Sequence, residues 1–297
     1  MDNLTHGLAG ALLGQAGLKR KTGLAMPALI MGANIPDVDA ACFLWLDGVE
    51  HLAFRRGITH GPIAWVLLPL VLAGLLYGFD RWQARRGKRP EGRLPVRFRW
   101  LYGLAFMATL THPALDWLNV YGIRLLEPFS SRWFYGDVLF IIDVWLWAGM
   151  GFATWLSLRR ERHERDWRTP AQVALVGATL YIAVNAVISW MVGVSASGQP
   201  AIASPLPFAS WSRELIEPYD ENRYYIRQSL VGECRLDTLK HLRPQNNELD
   251  AFLFWSRAPF AERAPDGSVI LRDARYYDPL ARDRFTVALP EVRCEPL

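Results

Sequence analysis

The sequence predicts a mainly α protein: a polytopic transmembrane helical bundle followed by a small antiparallel β domain. Three observations predict it. Of the 297 residues 51% are apolar, 13 of them Trp, and they gather in long runs before residue 195. Two arginine-rich loops punctuate those runs. After residue 195 the pattern turns polar, with short alternating stretches and turn residues.

Within residues 1–195, helices are expected at about 4–18, 23–46, 61–79, 100–118, 138–158 and 171–194. The first is short for a bilayer, which needs ~20 residues. Asn34, Pro36, Asp37 and Asp39 interrupt the second. Proline disfavours helix through the residue before it, so this segment should be broken or re-entrant. Residues 61–79 are apolar without interruption. Residues 80–99 then carry Arg81, Arg85, Arg86, Lys88, Arg89, Arg93, Arg97 and Arg99 against Asp80 and Glu91. A second basic loop runs from Arg159 to Arg168. Basic residues confined to loops read as topology signals and not as a nucleic-acid surface. Both loops should be cytoplasmic, which places the connections near 47–60 and 119–137, and everything after 194, outside. The expected location is a bacterial inner membrane, multi-pass, with the C-terminal domain outside the cytoplasm. No secretory signal is expected, because no basic region precedes the first apolar stretch.

Residues 196–297 should form the β-rich domain. A Pro/Ser-rich connector, Ser195 to Ser212, leads into strands expected at Tyr224–Val231, Glu248–Trp255 and Arg284–Leu289. Pro265-Asp266-Gly267 reads as a hairpin turn. Cys234 and Cys294 could pair if this part lies in an oxidising compartment, and Cys42 should be buried.

The chemistry concentrates in four short motifs: Asp2-Asn-Leu-Thr-His6, Asn34-Ile-Pro-Asp37-Val-Asp39, Arg56-Gly-Ile-Thr-His60 and His112-Pro-Ala-Leu-Asp116. Ionisable groups in apolar runs are costly unless paired or bound to metal. The topology brings all four motifs to the outer side. His112 and Asp116 share one helix face at i and i+4. Alone, that pair would read as a hydrogen-bonded lock between helices; three other His/Asp motifs at the same depth favour ligation. Asp37 and Asp39 are ligands, or one is a helix cap; Asp37 is preferred because the adjacent proline holds it. Thr59 could cap the helix after His60. Arg56 is either a snorkelling interface residue or a clamp for an anionic substrate. The expected metal ligands are therefore His6, Asp37, Asp39, His60, His112 and Asp116. Asn34, Asn119, Arg132, Asp137 and Asp143 are candidates for substrate contact or for holding a ligand in place. Imidazole and carboxylate without nearby thiolate suit one or two Zn2+ ions, with Mn2+ as the other choice.

On these motifs the chain resembles the YdjM-like family of bacterial membrane-bound, metal-dependent hydrolases over roughly residues 1–195. Their order is also similar to that of the zinc-dependent phospholipase C and P1-nuclease group. That similarity implies one zinc held by Asp37, His60, His112 and Asp116, and another held by His6 and Asp116 with the N-terminal amine. Those enzymes have a second HxxxD/E after the first; here the next histidine is His163, in an expected cytoplasmic loop. Asp137 or Asp143 would have to supply a missing carboxylate. The implied activity is hydrolysis, with metal-activated water attacking a phosphoester or ester of a lipid or lipid-linked substrate at the outer face. Asp116, Asp39 and Arg56 are its catalytic candidates. The competing expectation is a non-enzymatic membrane protein with a structural or transported ion, or an assembly protein whose β domain docks a partner.

Overall fold

The computed structural model describes residues 1–195, 201–279 and 281–297, so residues 196–200 of the expected connector lie outside the described residues. The chain divides into two compact units. One comprises Met1–Asp39 and Arg56–Asn185, the other Ala40–Arg55 and Ala186–Leu297.

The first unit is helical. Helix α1 (Asn3–Gln15) is followed by α2 (Ala25–Asn34). A 3-10 segment, Ile35–Leu44, continues from α2 where Pro36 removes a backbone donor. A single turn, α3 (His51–Phe54), belongs to the second unit; the first resumes with a short 3-10 turn, Ile58–His60, before α4 (Pro62–Arg85). Then come α5 (Phe98–Trp117), α6 (Val144–Arg162) and α7 (Arg168–Ser195). Two glycines set the spacing of α1, α2 and α5. A Cβ on Gly10 would lie 2.5 Å from the Leu29 carbonyl, and one on Gly32 would lie 2.9 Å from that of Ala105. The backbones therefore meet directly, as small residues permit where helices pack in apolar surroundings. Ala28, Leu72, Ala73, Leu76, Leu101 and Ala105 fill the seam among α2, α4 and α5.

Two helices among the described residues, Pro62–Arg85 and Arg168–Gly193, are long and apolar enough to cross a membrane. The expectation of a polytopic bundle is corrected accordingly. The other helices fall short for local reasons. Helices α1 and α2 have 13 and 10 residues, about 20 Å or less at 1.5 Å per residue. Helix α5 carries Arg99, His112 and Asp116, and α6 reaches Arg159 after fifteen residues. Asp143 is not within a helix; it caps α6, accepting from the amides of Trp145 and Leu146.

The second unit holds two antiparallel sheets. One runs β1 (Ile202–Leu206), β2 (Ala209–Pro218), β3 (Tyr224–Ile226) and β4 (Ser229–Val231) in order. The stretch 224–231, expected as one strand, is a hairpin. Arg227 and Gln228 both take positive φ, the turn that matches strand twist. Next come a short turn of helix, α8 (Asp237–Lys240), and α9 (Asn247–Trp255). The expected strand at Glu248–Trp255 is thus a helix. Asn246 caps it at the Leu249 amide, Glu248 and Asp250 occupy its first turn, and Leu249, Phe252 and Trp255 are buried at helical spacing. The second sheet is β5 (Pro259–Arg263), β6 (Ser268–Asp273) and β7 (Val287–Arg293), with Pro265-Asp266-Gly267 in the turn between its first two strands. A disulfide joins Cys234 and Cys294.

Beneath α9 lies a buried ion pair. Arg275 Nη2 is 2.6 Å from Asp273, whose carboxylate also accepts from Ser256 at 2.5 Å. The guanidinium stacks on Trp255 at 4.6 Å. Burial alone would raise the Asp273 pKa, but Arg275 and the hydrogen bonds hold it below the ordinary value. A carboxyl depressed in the folded state stabilises above its unfolded pKa and loses that contribution as pH falls through the folded value. Asp273→Asn should therefore destabilise this unit by about 3–5 kcal/mol at pH 7, because it strands a buried guanidinium. The deficit should shrink as pH falls below about 4. Urea unfolding of the full-length protein at both pH values, read by proteolysis of the C-terminal unit, measures both effects.

Candidate metal centre

Three segments are fixed before any site forms. The Asp2 side chain caps α1, accepting from Leu4 N at 2.9 Å and Thr5 N at 3.1 Å. Trp147 Nε1 on α6 donates to the same carboxylate at 3.1 Å. This pins the first turn of α1 and so places His6. The 3-10 segment after α2 carries Asp37 and Asp39. Arg56 takes φ +56, a strained conformation for a side-chain-bearing residue. That twist aims its amide at Asp39 Oδ2, 2.7 Å away, while its carbonyl accepts from Arg124 N at 3.0 Å.

Two overlapping groups of expected ligands gather here, His60, His112 and Asp116, and His6, Asp37 and His112, the ligand atoms of each within 4.8 Å of one another. His60 Nε2 and His112 Nε2 lie 3.1 Å apart. Asp116 Oδ2 is 3.5 Å from the first and 3.6 Å from the second. Asp37 Oδ1 is 3.9 Å and 3.8 Å from the same two nitrogens. Donors about 2.0–2.2 Å from a tetrahedral zinc stand about 3.3 Å from one another. His6 lies beside them, its ring stacked on His112 at 3.7 Å and its Nε2 3.3 Å from Asp116 Oδ1. His6, His60, His112 and Asp116 are fully buried.

The hydrogen bonds assign the protons. His112 Nδ1 is 2.7 Å from the Ala33 carbonyl, which can only accept, so Nδ1 carries hydrogen. Thr59 Oγ1 donates to Asp39 at 3.1 Å and accepts from His60 Nδ1 at 2.9 Å. With both rings neutral, both Nε2 atoms are bare and two lone pairs face each other. Such an arrangement repels without a cation between the rings. Neither ring nitrogen of His6 has a hydrogen-bond partner. Buried orphans of this kind demand an explanation, and the donor set fits a divalent ion.

Electrostatics point the same way. Burial pushes the His112 pKa well below its usual value, with His6 adding to the effect, and burial lowers His6 too. Burial also lowers the Met1 amine to about 6, although it contacts Asp116 directly. Burial would raise Asp116, but Arg56 and the amine outweigh it and hold that carboxyl well below the usual range. Asp116 thus stays charged beside His6 and His112 held neutral, a setting that suits a cation.

The other expected residues take different places. Asp39 acts through Thr59 and the Arg56 amide, with its Oδ2 3.5 Å from His60 Nδ1, the ring nitrogen turned away from His112. Thr59 does not cap a helix; Gly61 precedes α4. Arg56 commits its donors to protein: Nε to Asp116 at 3.0 Å, Nη1 to Asn119 and the Gly122 carbonyl, Nη2 to the Met1 carbonyl. Asn119 Oδ1 accepts from Arg56 and from Tyr121 N. Asn34 ends α2, its Nδ2 bonded to Ile30 O at 2.9 Å. Arg132 is exposed, its guanidinium over Phe134, and Asp137 sits in the loop at φ +54. Asp143 accepts from Tyr181 on α7 at 2.9 Å. Sequence reasoning gave no role to the Ala33 carbonyl or to Trp147. The first has no side-chain signal; the second needs the fold to reach Asp2.

A helical unit with a buried His/Asp centre, attached to a disulfide-bonded β unit, defines the class. The chain belongs to the YdjM inner membrane protein family, whose model matches residues 1–192. It is similar to YfhP of Bacillus subtilis, described as an uncharacterized protein, at 28% identity over 178 residues, 53% of this chain and 50% of that one. The chain thus spans about half the length of the curated relative it matches. No solved structure matches, and likeness to phospholipase C is not among these findings.

Purified protein should carry zinc or manganese by elemental analysis, and His60→Ala and His112→Ala should lose it. Stoichiometric metal in both variants would remove the centre. Asp37→Ala should also lose metal. Asp39→Asn should weaken affinity only about 10–100-fold, the usual cost of removing a group that orients a ligand.

Proposed function

We propose that this chain is a membrane-bound metal-dependent hydrolase acting on a phosphoester or ester of a lipid or lipid-linked molecule at the outer face of the inner membrane. The observation that carries the reading is the pair of bare imidazole nitrogens 3.1 Å apart, flanked by the Asp37 and Asp116 carboxylates. Asp37, His60, His112 and Asp116 would hold the ion, and His6 with Asp116 a second. When bound, such an ion acts as a Lewis acid, lowering the pKa of water and stabilising charge that develops on a phosphoryl or carbonyl oxygen. The protein supplies the rest. Asp39 and Thr59 hold His60 in one tautomer, and the Ala33 carbonyl does the same for His112. Arg56 positions Asp116 and Asn119; its donors are already engaged, which argues against a direct clamp on substrate.

The outer face follows from charge. The basic residues of 80–99 overlap and follow one candidate span, and Arg159–Arg168 leads into the other. Both flanks belong inside, so His60, two residues before α4, and the chain after α7 belong outside. The Cys234–Cys294 disulfide suits an oxidising compartment. A thiol introduced at Ser212 should then be labelled in intact cells, and one at Lys88 should not; the reverse pattern would invert the orientation.

Full burial of the three histidines and Asp116 favours one competitor, a structural ion. A screen of phospholipids and lipid-linked phosphoesters against wild type and Asp116→Ala separates the two. Turnover lost by at least about 100-fold in the variant supports hydrolysis, the scale on which losing a group that stabilises the transition state shows. Identical profiles argue against it.

A further inference from the structure

Helices α1, α5, α6 and α7 enclose an apolar slot of about 400 Å3 within the first unit. The volume lies within the range of about 300–1,000 Å3 usual for small-molecule sites. The slot is elongated. On α1 it runs from Thr5 to Leu13, about 12 Å at the helical rise of ~1.5 Å per residue. On α5 it runs from Leu118 back to Thr111, and on α7 from Ile182 to Leu175. One end is level with the metal centre, since Thr5 precedes His6 while Leu115 and Trp117 flank Asp116. Helices α1 and α5 therefore present ligands on one face and the slot on the next.

Its chemistry excludes a polar occupant. Only three hydroxyls line it, and each is already committed: Thr5 Oγ1 to Asp2 at 2.6 Å, Thr111 Oγ1 to the Ala108 carbonyl at 2.7 Å, Thr179 Oγ1 to the Leu175 carbonyl at 2.9 Å. What remains is apolar, aliphatic but for Trp117 and Met150, with the small Ala9, Ala114 and Ala178 leaving the room. Polar ties hold α7 at both ends of the gap. Gln172 donates to the Ala16 carbonyl at 3.3 Å, and Tyr181 to Asp143 at 2.9 Å. The wall formed by α7 is itself a candidate membrane span, with only 6% of its apolar stretch buried. Hydrocarbon is the medium such a helix meets.

We propose that this slot holds one hydrocarbon chain of a membrane lipid, with the lipid's polar end at the level of the His/Asp cluster. The inference deepens the lipid-hydrolase reading by naming how such a substrate would be held, and it rests on that reading only for the fate of the bound lipid. The test reads binding and not turnover. Full-length protein is reconstituted in vesicles of phosphatidylethanolamine and phosphatidylglycerol containing a phosphatidylglycerol with a mid-chain diazirine. After photolysis, labelled peptides are mapped. Label is expected at Leu13, Leu115 and Met150 inside the slot, as well as at the exposed Val176 and Leu180 on the outer face of α7. Ala114→Phe and Ala178→Phe, which fill the slot from opposite walls, should each reduce the inner label about tenfold, the scale on which a hydrophobic pocket discriminates. Outer label and metal content should stay unchanged, the latter reporting that the fold is intact. Label confined to outer faces in wild type would overturn the proposal, and so would inner label unchanged in whichever filled variant retains metal. Cross-links between two copies through Leu115 would overturn it too, by making the slot a protein interface. Inner label without turnover in the lipid screen would remove the hydrolase and leave the slot standing.

Discussion

Two imidazole nitrogens with no proton between them, 3.1 Å apart in a buried site, are the constraint on which the helical unit depends. Each is kept bare by a bond on the far side of its ring. His112 donates to the Ala33 carbonyl, and His60 donates to Thr59, which donates to Asp39. Burying such groups is unfavourable unless something joins them. Helix contacts that bring α2 against α5, through Gly32, and α1 against α2, through Gly10, make the convergence geometrically available.

The support around the His/Asp cluster is built mainly from backbone and from one strained residue. Arg56 at positive φ gives its amide to Asp39, its carbonyl to Arg124, and its side chain to Asp116 and Asn119. One residue therefore ties the 3-10 segment after α2 to the end of α5 and to the loop beyond. Asp2 does the comparable work for α1, joining its first turn to Trp147 of α6. Loss of either should loosen the cluster without removing one of its His or Asp residues.

Much of the centre was legible beforehand. Ionisable residues inside apolar runs are conspicuous, and His112 and Asp116 at i and i+4 had to share a face. The choice between Asp37 and Asp39 was not legible, because both stand in the same motif beside the same proline. Only the turn of the 3-10 segment puts Asp37 within reach of both Nε2 atoms and Asp39 behind Thr59. Arg56 could not be read either, since a guanidinium's partners lie up to 66 residues away in sequence. The helix at Asn247–Trp255 was mistaken for a strand because its apolar residues also fit a short buried run. Its cap at Asn246 was the overlooked signal.

By itself the sequence determined which ionisable residues stand in apolar runs, where helices break, and that an apolar helical part precedes a polar β-rich one. Those properties are local: a proline, a charge in an apolar run and a basic flank act on their neighbours. Tertiary structure decided which helices are long and apolar enough to cross a membrane, which aspartate faces the histidines, and that Cys234 meets Cys294. The last two depend on distances between segments far apart in the chain; the first depends on where each helix begins and ends. It also separated the motif Asn34-Ile-Pro-Asp37-Val-Asp39 into its parts: Asn34 closes a helix, Asp37 faces the centre, and Asp39 holds the scaffold behind it.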